Sequence, residues 1–448
     1  MNFLRTWFAV LIIWISIIDI ALAGDVVPSI NYYFKPITQF SIRNYNYGSD
    51  FSNTKYCLEN SEGDCLDKRV NFFTEWGGEG GIGKRLSLLY RAQLQDVDRF
   101  RFKQASLRLR TGIVSWKVGK DTVWLGHGYH GSLLLSTNAE GFLLFHFKTE
   151  DPFRLPWVLS KAGEFKYELF HGWLEDFNLL GHRLSWSPVP LIEFGFNQTV
   201  TYAKDRGYQL IEYPRVHFSS TENLGGQFDN DQRGSLDLAL YMPFLSKLPP
   251  LKEGKFYAEY AGEDSYAWWQ EEDGKWVWPI GFDYLHTAYM LGLFLTTGQT
   301  DFRVEYAQNH RNKPLFTHIN GIDLGGGGSP AWYSKIPFVN DRVFLGHHMG
   351  SQADDLFFQM EHRWLPFSIK YFYDIERHGM FNYPNSPEIR QQFGTTLSYR
   401  YMKTDVSANF LINRFKNVDF NPNPLGFDIR EGTDRREYVI GFGIEWNM

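Results

Sequence analysis

Histidines recur in this chain in a pattern that invites chemistry. The tripeptide Leu-Gly-His occurs three times, at residues 125–127, 180–182 and 345–347, with His130 and His348 close by. Clustered imidazoles are the usual start of a transition-metal site or a proton-transfer site, but both need further groups. No carboxylate lies at ligand spacing beside these tripeptides, and no cysteine joins them. The sequence therefore predicts histidines satisfied by polar neighbours, with no metal and no cofactor. A Ser-His-acid constellation needs only to meet in space and leaves no obligatory spacing. No Gly-x-Ser-x-Gly elbow occurs, however, and no serine stands in a telling context. The expectation is a protein that is not an enzyme.

Two glycine-rich stretches look like phosphate-binding loops and fail on context. Gly78, Gly80 and Gly83 match the dinucleotide spacing, but the residues after them alternate as a strand where a helix is required, so the segment reads as a turn. Residues 325–328 are all glycine and lack the Lys-Ser/Thr of a phosphate loop, which makes them a connection. A third stretch packs Tyr266, Trp268, Trp269, Trp276 and Trp278 around the acidic turn 271–274. Such rings stack on sugar faces while carboxylates and amides bond hydroxyls. They equally suit an aromatic girdle at a membrane interface, and the two readings stand side by side. The formal net charge of −6, without a basic stripe, points away from nucleic acid.

The elements that must position these groups are strands. Leu86, Leu88, Tyr90, Ala92 and Leu94 alternate with more polar residues, and so do Phe367, Ile369, Tyr371, Tyr373 and Ile375. The chain ends on Tyr438, Ile440, Phe442, Ile444, Trp446 and Met448, apolar at every second position, with Glu445 and Asn447 on the other face. A soluble sheet would need a further layer over that edge, whereas in a bilayer it faces hydrocarbon. Tight breaks at Thr111-Gly112, Leu365-Pro366 and residues 403–405 alternate with long polar connections, as in an up-and-down barrel with one plain and one elaborate end. The expected fold is all-β: a large antiparallel transmembrane β-barrel of about 16–18 strands with long extracellular loops. A barrel that wide must hold water or a plug made of its own loops.

Residues 1–23 read as a signal peptide, with Arg5, an apolar core and Ala21-Leu22-Ala23 before the cleavage point, although Asp19 is an unusual charge there. Residues 24–448 are then one barrel domain in the bacterial outer membrane. Cys57 and Cys65, the only cysteines, read as one disulfide closing a surface loop. Alternation points Arg85, Arg91, Arg108, Arg110, Arg303, Arg363, Lys370 and Arg400 inward against Glu305, Glu361, Asp374 and Glu376. Either the lumen is basic and favours an anionic ligand, or these groups form ion pairs along the wall.

The segments "WLGHGYHGSLLLSTNAEGF" (124–142) and "AWYSKIPFVNDRVFLGHHMGSQADDLFF" (331–358) resemble the Wzi capsule-assembly family of outer-membrane proteins, over roughly residues 70–448. The resemblance implies a barrel of about eighteen strands whose outer loops act as a lectin, holding capsular or extracellular polysaccharide at the cell surface without catalysis. It also implies a small periplasmic helical bundle, for which "FRLPWVLSKAG" is the one candidate segment. From the matched segments the glycan-binding candidates are Trp124, His127, His130, Ser136, Asn138, Trp332, His347, His348 and Asp354, to which the loop residues Trp268, Trp269 and Trp276 are added. The expected partners are polysaccharide, outer-membrane lipid and the barrel assembly machinery, the protein itself being a monomer. A passive porin for small solutes is the alternative, and an outer-membrane hydrolase a third reading.

Overall fold

A strand in hydrocarbon has no partner for its backbone donors and acceptors except another strand. The computed structural model describes residues 32–51, 55–205, 230–263, 269–270, 276–277, 287–310, 338–380, 387–418 and 433–447. In chain order the strands are β1 (Tyr32–Ser49), the short pair β2 (Lys55–Cys57) and β3 (Cys65–Asp67), β4 (Arg69–Ile82), β5 (Leu86–Gln95), β6 (Arg99–Thr111), β7 (Val114–Asp121), β8 (Phe142–Thr149) and β9 (Glu164–Trp173). There follow β10 (Phe177–Val189), β11 (Ile192–Ala203), β12 (Asp231–Tyr241), β13 (Glu253–Glu263), the small pair β14 (Trp269–Gln270) and β15 (Trp276–Val277), β16 (Thr287–Thr296) and β17 (Thr300–Gln308). A last small pair, β18 (Val339–Asn340) and β19 (Val343–Phe344), precedes β20 (Asp354–Trp364), β21 (Phe367–His378), β22 (Glu388–Tyr401), β23 (Thr404–Val418) and β24 (Thr433–Asn447).

Apart from the three small hairpins, each strand pairs antiparallel with its successor, and β1 pairs with both β4 and β24. Eighteen strands thereby close into one ring, with no free edge. On β24 the side chains of Tyr438, Ile440, Phe442, Ile444 and Trp446 are all exposed, from 39% at Ile440 to 61% at Phe442, while Val439 is buried. Met448 lies outside the described residues. Phe72, Phe100, Phe302, Phe393 and Phe410 continue the outward apolar face around the barrel. No described helix is long and apolar enough to cross a membrane; the crossing is made by strands.

The connections sort the two ends. At one end lie the tight turns 112–113, 190–191, 297–299, 365–366 and 402–403; at the other lie 50–68, 122–141, 204–230, 264–286 and 309–353. Long loops face the cell exterior in such barrels, so the latter is the outer end. Gly78 and Gly80 correct the expected turn: β4 runs on to Ile82, and only residues 83–85 turn. A side chain at Gly78 would stand 2.4 Å from the Pro36 carbonyl oxygen, so glycine is required there by the close approach of β1. Arg85, expected on the inner face of a strand, sits exposed in that turn. In the helix-candidate segment the chain makes a single 3-10 stretch, Trp157–Ala162, and among the described residues no α-helix occurs.

The lumen is filled from the outer end. Leu125, Leu133, Leu134 and Leu135 of the 122–141 connection are fully buried, and they pack with Phe142, Leu144, Phe170 and Met290 of the wall and with Phe338, Leu345 and Met349 of the 338–353 segment. Each fully buried leucine contributes about 1.5–3 kcal/mol of burial free energy. The barrel thus has a hydrophobic core inside a polar-faced wall, made by loops that the alternating strands alone do not foretell.

If the outward face of β24 meets hydrocarbon, Phe442→Arg near mid-strand should lower the folding free energy in lipid vesicles by about 2–4 kcal/mol. Denaturant titration measures this, and a change within error would place that face outside the membrane core.

Candidate functional site

The 122–141 connection is held inward by one carboxylate. Glu305 of β17 accepts hydrogen bonds from the backbone N–H groups of Tyr129 (2.8 Å), His130 (3.0 Å) and Gly131 (3.1 Å), and from the Tyr257 hydroxyl (2.6 Å). Three successive donors on one buried anion form a nest that fixes the loop tip against the wall. Gly131 is required beside it, since an added Cβ would lie 2.3 Å from the His347 ring. The base of the loop closes on itself and on its neighbours. Leu125 N–H donates to the Leu135 carbonyl, Ser136 Oγ to the Gly346 carbonyl (2.6 Å), and Asn138 Nδ2 to the Phe344 carbonyl (3.1 Å).

The 50–68 connection locks in from the other side. Its β2–β3 hairpin carries the Cys57–Cys65 disulfide. Glu62 and Gly63 donate backbone bonds to Thr137 and Asn138, and Asn60 Nδ2 donates to the His130 carbonyl at 2.5 Å. Asp64 at its tip, fully buried, receives Lys103 (2.9 Å), Arg43 (3.0 Å) and Arg101. Burial works to raise the Asp64 pKa, but those three cations outweigh it and hold it below the ordinary carboxylate value.

The histidines divide into separate environments. His127 Nε2 stands 3.2 Å from Asp237 and its Nδ1 3.3 Å from Lys255 Nζ, with Arg183 paired to the same aspartate. Burial, assisted by Arg183 and Lys255, pushes the His127 pKa down to about 4 despite Asp237. His130 stacks on Phe357, with centroids 3.7 Å apart and 12° between planes, and faces Glu59, Asp355 and Asp374 at 3.6–3.7 Å. His348 Nε2 lies 3.0 Å from Asp355 and 3.4 Å from Glu376. Burial opposes charge on His348, but Glu59, Asp355 and Glu376 overcome it and hold its pKa well above the ordinary value. His347 beside it is pushed well below by burial and by His348 and His130. His182, of the third tripeptide, lies within β10 between the Tyr167 and Phe196 rings and joins neither group.

Of the residues singled out by sequence, His130, His347 and His348 are thus brought together. His127 stands apart, and Ser136 and Asn138 brace the loops. Asp354 is tied to Arg377 and, at 3.0 Å, to His310. Trp124 lines a cavity of about 500 Å3 with Tyr56, Tyr129, Gln359, Lys370 and Gln392. Trp268 and Trp332 lie outside the described residues, while in the β14–β15 hairpin at the outer end Trp269 pairs with Val277 and Trp276 with Gln270. The basic lumen is corrected. Arg91 pairs with Glu62, Arg108 with Glu150, Arg110 with Asp151, Arg363 with Asp301 and Arg400 with Asp405. Arg303 stacks over the Tyr129 and Phe294 rings. The wall is largely ion-paired, because strands and connections supply acids opposite five of the eight bases expected inward. The carboxylates that face the histidines, Glu59, Asp355, Asp374 and Glu376, arrive from β20, β21 and the 50–68 loop, so their absence at ligand spacing in the sequence did not bear on what the histidines meet in space. Glu305 and Asp374 were legible as inward acids from alternation, though not as partners of these loops.

A closed eighteen-stranded antiparallel barrel, apolar outside and filled by loops from its elaborate end, is a bacterial outer-membrane β-barrel. More particularly, the chain belongs to the capsule assembly protein Wzi family, whose model matches residues 42–368. That match starts within β1 and ends at the beginning of β21, short of the β22–β24 strands that the resemblance had included. The fold is similar to that of Wzi from Escherichia coli, an outer-membrane protein involved in group 1 capsule assembly and described as a carbohydrate-binding β-barrel (TM-score 0.57, 11% identity, 90% of this chain and 83% of that one). OccK5 from Pseudomonas aeruginosa aligns with a TM-score of 0.49 at 9% identity, over 91% of this chain and 97% of that one. No curated protein matches the chain by sequence.

Glu305→Ala should free the loop tip while leaving the ring of strands intact. Amide exchange at Tyr129, His130 and Gly131 is expected to speed up about a hundredfold, from the loss of about 3 kcal/mol of charge-assisted bonding, with unchanged β-sheet circular dichroism. His127 should be neutral in the folded protein above pH 5. Because its folded pKa of about 4 lies below its ordinary 6.5, protonation favours the unfolded form. Stability is then full above pH 6.5 and falls toward pH 4, by at most about 3 kcal/mol. Denaturant titrations should show that part of the pH slope vanishing in His127→Gln.

Proposed function

We propose that the protein binds capsular or extracellular polysaccharide at the outer surface of the cell and helps to retain it there, without catalysis. The observation that carries this reading is the packed plug. Loops 50–68, 122–141 and 338–353 are bonded to one another and to the wall, which suits a rigid binding face at the outer end better than an open passage. Family membership, and the carbohydrate binding described for Escherichia coli Wzi, support the same reading. The half-exposed Tyr129, with Arg303 beneath its ring and its hydroxyl on Gln359, offers a sugar-stacking face next to amides that can bond hydroxyls. The β14–β15 hairpin places Trp269 and Trp276 in an outer connection. The ion-paired wall gives no preference for a polyanion.

Purified protein should bind polysaccharide extracted from its own host, and binding should survive high salt because it does not rest on unpaired charge. A deletion strain should shed more polymer into the medium. Unchanged retention together with no binding would remove the proposal. In planar bilayers the protein should be nearly silent; a steady large conductance would instead make it a porin.

A further inference from the structure

Two loop histidines and several carboxylates meet inside the outer end of the barrel, beside the cavity that Trp124 and Tyr129 line. Glu59 comes from the 50–68 loop, His130 from 122–141, His348 from 338–353, and Asp374 from β21. One donor atom from each lies within 4.8 Å of those from the other three. Asp355 of β20 adds an oxygen 3.0 Å from His348 Nε2 and 3.6 Å from His130 Nε2. We propose that Glu59, His130, His348 and Asp374 bind one divalent cation of the zinc class, with Asp355 as a neighbouring donor.

Three observations carry this. First, the donor separations of 3.0–4.0 Å among these groups are those of atoms around a shared centre; a tetrahedron with metal bonds of about 2.0–2.1 Å has edges of about 3.3 Å. Second, Asp355 and Asp374 are 1% and 0% exposed, and among the described residues the basic groups within 4.0 Å of their carboxylate oxygens are the imidazoles of this same cluster, His348 at 3.0 Å and His130 and His347 at 3.6–3.9 Å. Buried carboxylates are costly unless a cation compensates them. Third, the surroundings orient the donors. Arg390 takes the other oxygen of Glu59 at 2.7 Å, leaving one directed at the histidines. The His130 ring is set by Phe357 and its peptide N–H by Glu305. Glu376 is engaged by Arg390 and His378, both at 2.7 Å, and so is a brace more than a donor. Two imidazoles with carboxylates and no thiolate suit zinc and its first-row neighbours, whereas calcium and magnesium prefer all-oxygen shells. A cation here cross-links the three plug loops to the wall.

The test uses the full-length protein in detergent, stripped with chelator and titrated with zinc alone, with magnesium and calcium as parallel arms. One zinc per chain is expected, with X-ray absorption showing imidazole in a nitrogen/oxygen shell, and with little binding of the other two ions. His130→Gln and Asp374→Asn should each weaken zinc binding by about a hundredfold or more, while His127→Gln, outside the cluster, should leave it unchanged. Because the absorption spectrum is taken on the unsubstituted protein, it decides even if a variant misfolds. No zinc retained, zinc bound without imidazole, or equal binding by folded His130→Gln and the parent would each overturn the proposal. Each of these outcomes is read from zinc alone, so it is distinguishable from the result of the polysaccharide-binding assay.

Discussion

Closure of the backbone hydrogen-bond ladder is the constraint on which the rest of this molecule depends. Inside a bilayer each unpaired N–H or C=O costs several kcal/mol, so a sheet can cross only if its first strand meets its last. Here that seam is β1 against β24, in register from Gln39 opposite Asn447 to Ser49 opposite Glu437. Once the ring closes, side-chain alternation assigns every strand residue to lipid or lumen. The lumen of eighteen strands is then too wide for wall side chains to fill.

The plug answers that second problem with interactions of a different kind. Its centre is apolar, around Leu133, Leu134 and Leu135, but its attachment to the wall is polar and charged. Glu305 gathers three peptide N–H groups, Asp64 gathers three cations, and Asp237 sits with Arg183 and His127. Ion pairs of this sort do more for register than for net stability, because desolvation offsets much of their attraction. Their effect is to give the loops one seat each. That is what a binding surface made of loops needs, since a ligand would otherwise have to supply the ordering free energy itself.

The same arrangement explains why so much polar surface is buried in a barrel that could have held water. Gln93, Asn197, Gln198, Gln232 and Asp237 face inward and are almost completely covered. They bond to one another and to the loops, as in the contacts of Asn197 with Ser235 and Asp237, of Gln198 Nε2 with Gln232 or of Gln93 with Asp64. An inward face chosen for water would not need such matched partners. One chosen to receive a folded loop does.

The alternating strands, the side most of their residues face and the lipid-facing end of the chain were legible in the sequence alone, Gly78, Gly80 and Arg85 excepted, because a period of two is a local property and the bilayer imposes it on every strand. The same alternation placed Glu305 and Asp374 inward. What it could not state was whom they would meet. His130 and Asp374 are far apart in the chain, and the carboxylates facing the histidines come from two strands and a third loop. The inward arginines looked like a basic field until the tertiary structure set acids opposite them, as Glu62 opposite Arg91. Loop folding is governed by packing against residues distant in sequence, for which no periodicity exists. The ring was therefore legible beforehand, and its contents were decided only in three dimensions.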